Sequence, residues 1–185
     1  MTSILAISGS LRSKSYNTAL LRAAQAQVPP GVAFEIATLH GIPLYDGDVE
    51  TREGFPAAVL ALKAKVRAAD GLILATPEYN NGIPGVLKNA IDWLSRPASE
   101  MPQVFGGRPV ALMGASPGGF GTILSQDAWL SVLRALGAHH WVEGRLLVSR
   151  ASHAFDQDGA LVDEAVRTQL ADYVRRFSEF LESGK

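Results

Sequence analysis

The feature that most constrains this chain is a repeated order: a short apolar run, a turn rich in Gly, Pro or Ser, then a helical pattern. Residues 4–8, 33–37, 71–75 and 110–114 read as strands, with a less clear one within 139–148. The first, third and fourth are nearly all apolar, as parallel strands buried on both faces must be. Between them run stripes at helical spacing. Leu20, Leu21, Ala24 and Val28 form one, and Val59, Leu62, Val66 and Ala69 another. Val162, Val166, Leu170, Tyr173, Val174, Phe177 and Leu181 form a long final one. Strands alternating with helices give an α/β fold with a parallel sheet.

With no repeat, low-complexity tract or long linker, the 185 residues are expected to make a single domain spanning 1–185. The expected architecture is a doubly wound three-layer sandwich on a five-stranded parallel sheet, flavodoxin-like in strand order. The pattern alone does not fix that order. In such sheets a ligand sits outside the carboxyl ends of the strands, at the topological switch point. The segments that follow the first, third and fourth strands therefore carry the functional expectation.

The first runs from Ser8 to Thr18 and opens a helix. It holds one Gly, four Ser, one Thr, one Arg and one Lys in eleven residues. Hydroxyls and free N–H groups at a helix N-terminus suit a phosphate monoester, and Arg12 adds a charge-assisted fork. The loop is neither a GxxxxGK[ST] P-loop nor a Rossmann GxGxxG. An ordinary polar turn with a Ser or Asn cap is the plainer alternative. The second, Thr76-Pro77-Glu78-Tyr79-Asn80-Asn81-Gly82-Ile83-Pro84-Gly85, has a backbone shaped by two Pro and two Gly. A planar ring fits against such a loop, with the Asn80 amide and main-chain N–H groups at its edge and Tyr79 offering an aromatic face. A tight strand-to-helix crossover explains Pro84 equally well. The third, Gly114 to Thr122, spends four Gly in nine residues. Ser116, with the N–H groups of Gly118 and Gly119, suits a flat ligand's polar edge, and Thr122 reads as a helix N-cap.

Taken together, the first loop, the run from Pro77 to Gly85 with Leu87-Lys88-Asn89-Ala90-Ile91-Asp92-Trp93, and the Gly-Ala-Ser-Pro-Gly-Gly-Phe-Gly-Thr stretch resemble the NADPH-dependent FMN reductase family. The resemblance covers about residues 3–137. It implies bound FMN, with Ser10, Arg12, Ser15, Asn17 and Thr18 on the phosphate. It places Pro77, Glu78, Tyr79, Asn80 and Gly82 along the isoalloxazine, and Ser116, Gly118 and Gly119 at the ring's other edge. It implies NADPH, or NADH, as donor and a quinone or similar acceptor, or free flavin, in a ping-pong two-electron exchange. It also implies a homodimer or homotetramer. Gly107-Arg108-Pro109 stands where the family commonly has Gly-Lys-Pro, a departure that bears on how a 2′-phosphate is read. Because a flavin carries its own redox chemistry, no catalytic side chain is expected.

Composition removes several competitors. The chain has no Cys, so disulfides, thiolate nucleophiles and Cys-ligated metals are excluded. Adjacent His139 and His140 point to opposite faces of a strand, and Asp46-Gly47-Asp48 and Asp156-Gln157-Asp158-Gly159 lack full calcium-loop spacing, so no metal site is expected. A formal net charge of -1 argues against a polybasic nucleic-acid binder. It also weighs against a non-enzymatic electron carrier of the flavodoxin kind, which depends on a strong steering field. A regulatory phosphate-binding module without turnover stays open. No basic leader or membrane-length apolar run is present, so a cytoplasmic location and no membrane partner are expected. Glu78 is read as more structural than proton-transferring. Trp93, Trp129 and Trp141 are read as core or interface aromatics.

Overall fold

The computed structural model describes residues 1–184. Strands β1 (Thr2–Ser8), β2 (Val32–Ala37), β3 (Gly71–Ala75), β4 (Pro109–Ala115), β5 (His139–His140) and β6 (Leu146–Val148) form one sheet. Their order is β2-β1-β3-β4-β5, with β6 also beside β4, and every pairing is parallel. The chain thus steps outward from β1 in both directions. The switch point lies between β1 and β3, the open-sheet position at which ligands collect.

The expected fifth strand is broken in two. β5 pairs with Pro109 and Val110, and β6 pairs with Met113, Gly114 and Ala115. Trp141 lies in the interruption and is buried against Tyr173 and Phe177, with ring centroids 5.2 Å away in each case. A Cβ at Gly144 would collide with that indole, so the chain bulges around it.

Helices α1 (Tyr16–Gln25), α2 (Gly47–Glu53), α3 (Ala57–Ala68), α4 (Gly85–Leu94), α5 (Met101–Val104), α6 (Ile123–Ala135), α7 (Ala151–Ala154) and α8 (Glu164–Ser183) complete the element list, apart from one short 3-10 turn. Alternation along the strands builds two cores. Ile4, Ala6, Ile73, Ala111 and Met113 pack with Leu20, Leu21, Leu170, Val174 and Phe177 from α1 and α8. Leu5, Ile7, Leu72, Leu74 and Leu112 pack with Leu62, Val66, Leu87, Ile91, Trp129 and Leu133 from α3, α4 and α6. Each Leu, Ile, Val, Met or Phe among them contributes about 1.5–3 kcal/mol by leaving water. Two buried faces give the three-layer α/β sandwich that the strand pattern implied.

Caps show why the helices start where they do. Asp46, read from sequence as a fragment of a calcium loop, caps α2 by accepting N–H bonds from Asp48 (2.9 Å) and Val49 (3.4 Å). Asp163 caps α8 in the same way. Asp156 Oδ1 accepts from the Asp158 and Ala160 N–H groups and holds a turn. Val28 and Val162 fall outside α1 and α8, beyond the ends of the stripes that include them. Arg108 sits at the amino end of β4 and donates to the Val104 and Ala69 carbonyls. It braces the end of the sheet opposite the three loops. No helix of the described residues is long and apolar enough to cross a membrane.

Candidate active site

Three loops meet at the carboxyl edge because the sheet order places β1, β3 and β4 side by side. The approach of the first two is close. The Gly9 N–H donates to the Ala75 carbonyl at 2.9 Å. A Cβ on Gly9 would fall inside 3.0 Å of Leu87, Pro77 and that carbonyl, so only glycine fits. Gly114 meets the same constraint from Thr122 Oγ1 and the Thr76 carbonyl.

Asn17 ties the first loop to the third. Its Nδ2 donates to the Ala115 carbonyl at 2.9 Å, and its Oδ1 accepts the Ala115 N–H at 2.9 Å. Both groups are buried. Thr18 faces inward too, its hydroxyl 2.7 Å from Ser8 Oγ. Asn17 therefore acts as a clamp and Thr18 as a prop beneath the loop, with their side-chain bonds spent inside the fold.

The groups that remain available are Ser10, Ser15, Arg12 and the first N–H groups of α1. Ser10 and Ser15 are buried, and each hydroxyl accepts one backbone N–H, from Arg12 (3.2 Å) and Thr18 (3.3 Å), leaving its proton to donate. Arg12 is exposed at the mouth. A cleft of about 140 Å³ is lined by Ser10, Arg12, Ser15 and Asn17 from the first loop, Pro77, Glu78 and Tyr79 from the second, and Ser116 from the third. Past Arg12, Ser15 and Tyr16 lies a wider hollow of about 490 Å³, rimmed by Lys14, Arg22 and the 156–159 turn.

In the second loop, Tyr79 and Gly82 exchange N–H···O bonds of 3.3 and 3.1 Å, and Asn80 (φ 50°) and Asn81 (φ 60°) are both left-handed. This is a type I′ turn, which Asn tolerates better than most residues. It carries Asn80 and Gly82 outward from the cleft and leaves Tyr79 about half exposed at its edge. Glu78 turns the other way, and its Oε2 accepts N–H bonds from Leu124 (2.8 Å) and Ser125 (3.0 Å) at the start of α6. Thr122, the expected cap, makes no side-chain cap bond.

The third loop is held from behind. The Ser116 N–H donates to Val148, the Ala151 N–H to Ser116, and the Arg150 N–H to Gly118. Arg150 adopts a left-handed conformation (φ 48°) to make the last of these. Gly118 and Gly119 lie one step beyond the Ser116 and Pro117 wall and are exposed. Sequence reasoning passed over Tyr16, Ala115 and Pro117 as lining residues. Tyr16 is packed against Phe155, ring centroids 5.8 Å apart, from a part of the chain with no motif to announce it.

The donor set suits a phosphate monoester: two buried hydroxyls, the first N–H groups of α1 at its N-terminus, and the exposed Arg12 guanidinium, which is in no ion pair among the described residues. The slot between Pro77 and Pro117, with an aromatic edge at Tyr79, suits a flat ring. The residues present therefore fit FMN. Among the described residues no three His, Asp or Glu gather as a metal site. His140 sits at the far end of the sheet, where burial first, then Arg145 and His139, hold its pKa below the ordinary imidazole value.

Comparison with known proteins points to the same cofactor. The family model for NADPH-dependent FMN reductase matches residues 2–153. The chain is 49% identical over 164 residues to an NAD(P)H-dependent FMN reductase of Pseudomonas aeruginosa, covering 89% of this chain and 86% of that protein. It is 35% identical over 184 residues to a quinone reductase of Escherichia coli K12, covering 98% and 96%. Among solved structures, the flavoenzyme NAD(P)H:(acceptor) oxidoreductase FerB from Paracoccus denitrificans superposes with a TM-score of 0.87 at 30% identity, covering 99% of this chain and 98% of that one.

Proposed function

The chain belongs to the NADPH-dependent FMN reductase family, and on that footing we propose that the cleft between its three loops seats FMN for two-electron reduction of quinones or similar acceptors, or of free flavin. The protein is an FMN-dependent NAD(P)H oxidoreductase. The reductase relatives favour turnover over a non-enzymatic carrier. FMN, when bound there, would supply the redox chemistry that links a nicotinamide donor to a two-electron acceptor.

The chain's own residues bind and orient. Ser10, Ser15 and the α1 N–H groups hold the phosphate, and Arg12 closes over it from the mouth. Pro77 and Tyr79 flank the ring, and at its opposite edge stand Ser116, whose Oγ accepts the Gly118 N–H, and, one step further out, the exposed Gly119 N–H. The Gly119 N–H dipole is fixed by the backbone, so it would favour negative charge on a bound ring without reorganising. Donor and acceptor use one opening in turn, which gives ping-pong kinetics. Residues 1–185 act as one FMN-binding unit, and copies associate as homodimers or homotetramers, for which exposed Leu124 and Leu130 on α6 supply apolar surface.

The observation that carries this reading is that residues from loops about 60 and 100 positions apart line one cleft. Fluorescence titration of apoprotein with FMN tests it. Arg12→Ala is expected to weaken binding by about 1–3 kcal/mol, the range for a charge-assisted hydrogen bond. Unchanged affinity removes Arg12 from the phosphate site.

A further inference from the structure

Helix α6 begins directly after the third loop, yet its own N-cap residue Thr122 makes no side-chain cap bond. The cap comes from the second loop. Glu78 Oε2 accepts the Leu124 and Ser125 N–H groups at 2.8 and 3.0 Å, across 46 and 47 residues of sequence. Beside it, Thr76 Oγ1 lies 2.8 Å from Ser125 Oγ and accepts the Trp129 Nε1–H at 3.1 Å. Thr76 and Ser125 are both buried. The segment 76–78 is thus stitched to the first two turns of α6, and only Glu78 reaches both the stitch and the cleft.

Pro77 and Tyr79, one wall of the slot, flank Glu78 in sequence. Ser116 and Pro117, the other wall, belong to the loop that ends where Glu78 caps the helix. From this we propose that Glu78 is a positioning residue: by capping α6 it fixes the spacing between the two walls that receive the flavin ring. The inference rests on the FMN reading above. What counts is the reach of the side-chain oxygen to the two N–H groups. A carboxylate at that site also complements the helix N-terminus, but a neutral oxygen of equal reach serves the same purpose.

Three variants separate reach from charge. Glu78→Gln keeps an acceptor at the same length and removes the charge. Glu78→Asp keeps the charge and falls one methylene short. Glu78→Ala removes both. The readouts are the FMN dissociation constant from fluorescence quenching, the visible circular dichroism of bound flavin at saturating FMN, and the melting temperature of apoprotein. Wild type and Glu78→Gln are expected to agree within about threefold in affinity and to share one dichroism spectrum, while Asp and Ala weaken binding about tenfold and alter the spectrum. If Asp matches wild type and Gln matches Ala, the charge acts on the flavin directly and the proposal is overturned. It is equally overturned if all four proteins share one spectrum, even with lowered melting temperatures, because Glu78 then contributes stability alone. A wild-type chain that binds no FMN sinks the underlying reading as well, and so is told apart from a failure of the tether.

Discussion

Replacing Asn17 with Ala tests how the first and third loops are joined. Its amide makes two buried bonds of 2.9 Å, one to the carbonyl and one from the N–H of Ala115. Truncation leaves the Ala115 N–H without its acceptor and its carbonyl without one donor, in a place 98 residues away in sequence that no other side chain of α1 serves. A buried group stranded in this way costs about 1–3 kcal/mol. Two such groups, less about 0.5 kcal/mol regained from the better helix propensity of Ala, give a net loss of about 3 kcal/mol. For a chain of this size that corresponds to a fall of roughly 6–12 °C in melting temperature. The assay is urea unfolding of apoprotein, because bound FMN would add its own stabilisation by mass action. Asn17→Asp keeps the acceptor for the Ala115 N–H and loses the donor, so it should fall between the two. A loss below about 0.5 kcal/mol for Asn17→Ala, the range of an ordinary surface change, would refute the clamp.

Two further outcomes follow from packing and burial. Gly114→Ala places a methyl inside 3.0 Å of Thr122 Oγ1 and the Thr76 carbonyl, so it should destabilise by about 3 kcal/mol and weaken FMN binding; a normal urea midpoint contradicts this. Tyr173 is fully buried, donates to the Leu112 carbonyl at 2.9 Å, and burial pushes its pKa far above the ordinary tyrosine value. A raised folded pKa makes the neutral form the folded form, so its contribution is intact below about pH 10 and is lost as pH rises beyond the unfolded value. Urea midpoints measured from neutral to strongly alkaline pH should therefore decline at the top of the range, and Tyr173→Phe should flatten that decline; an equally steep fall in the variant assigns it to other groups.

Much of the fold is legible in the chain because the central strands are buried on both faces, which leaves the middles of β1, β3 and β4 apolar. The fifth strand is not, because its break depends on Trp141 filling space against α8, a contact made more than 30 positions away. α2 escapes the hydrophobic pattern because it buries no side chain; its start is set by Asp46, whose local capping looks in sequence like a cation loop. The three loops are legible as a group, since glycines that must sit beneath a neighbouring backbone leave a composition signal. The division of labour within them is not. Asn17 and Thr18 share the polar run with Ser10 and Ser15, and only the register of α1 turns the first pair inward. Glu78 caps a helix from another segment, and no local pattern records a partner 46 residues on.

The central claim is that one cleft built by three separated loops holds a flavin that NADPH can reach. Anaerobic mixing of the FMN-loaded protein with NADPH, followed by the blue absorption band, tests it most directly. Rapid loss of that band, and its return on adding a quinone, is the predicted result. A protein that takes up no FMN, or stays yellow in excess NADPH, contradicts it.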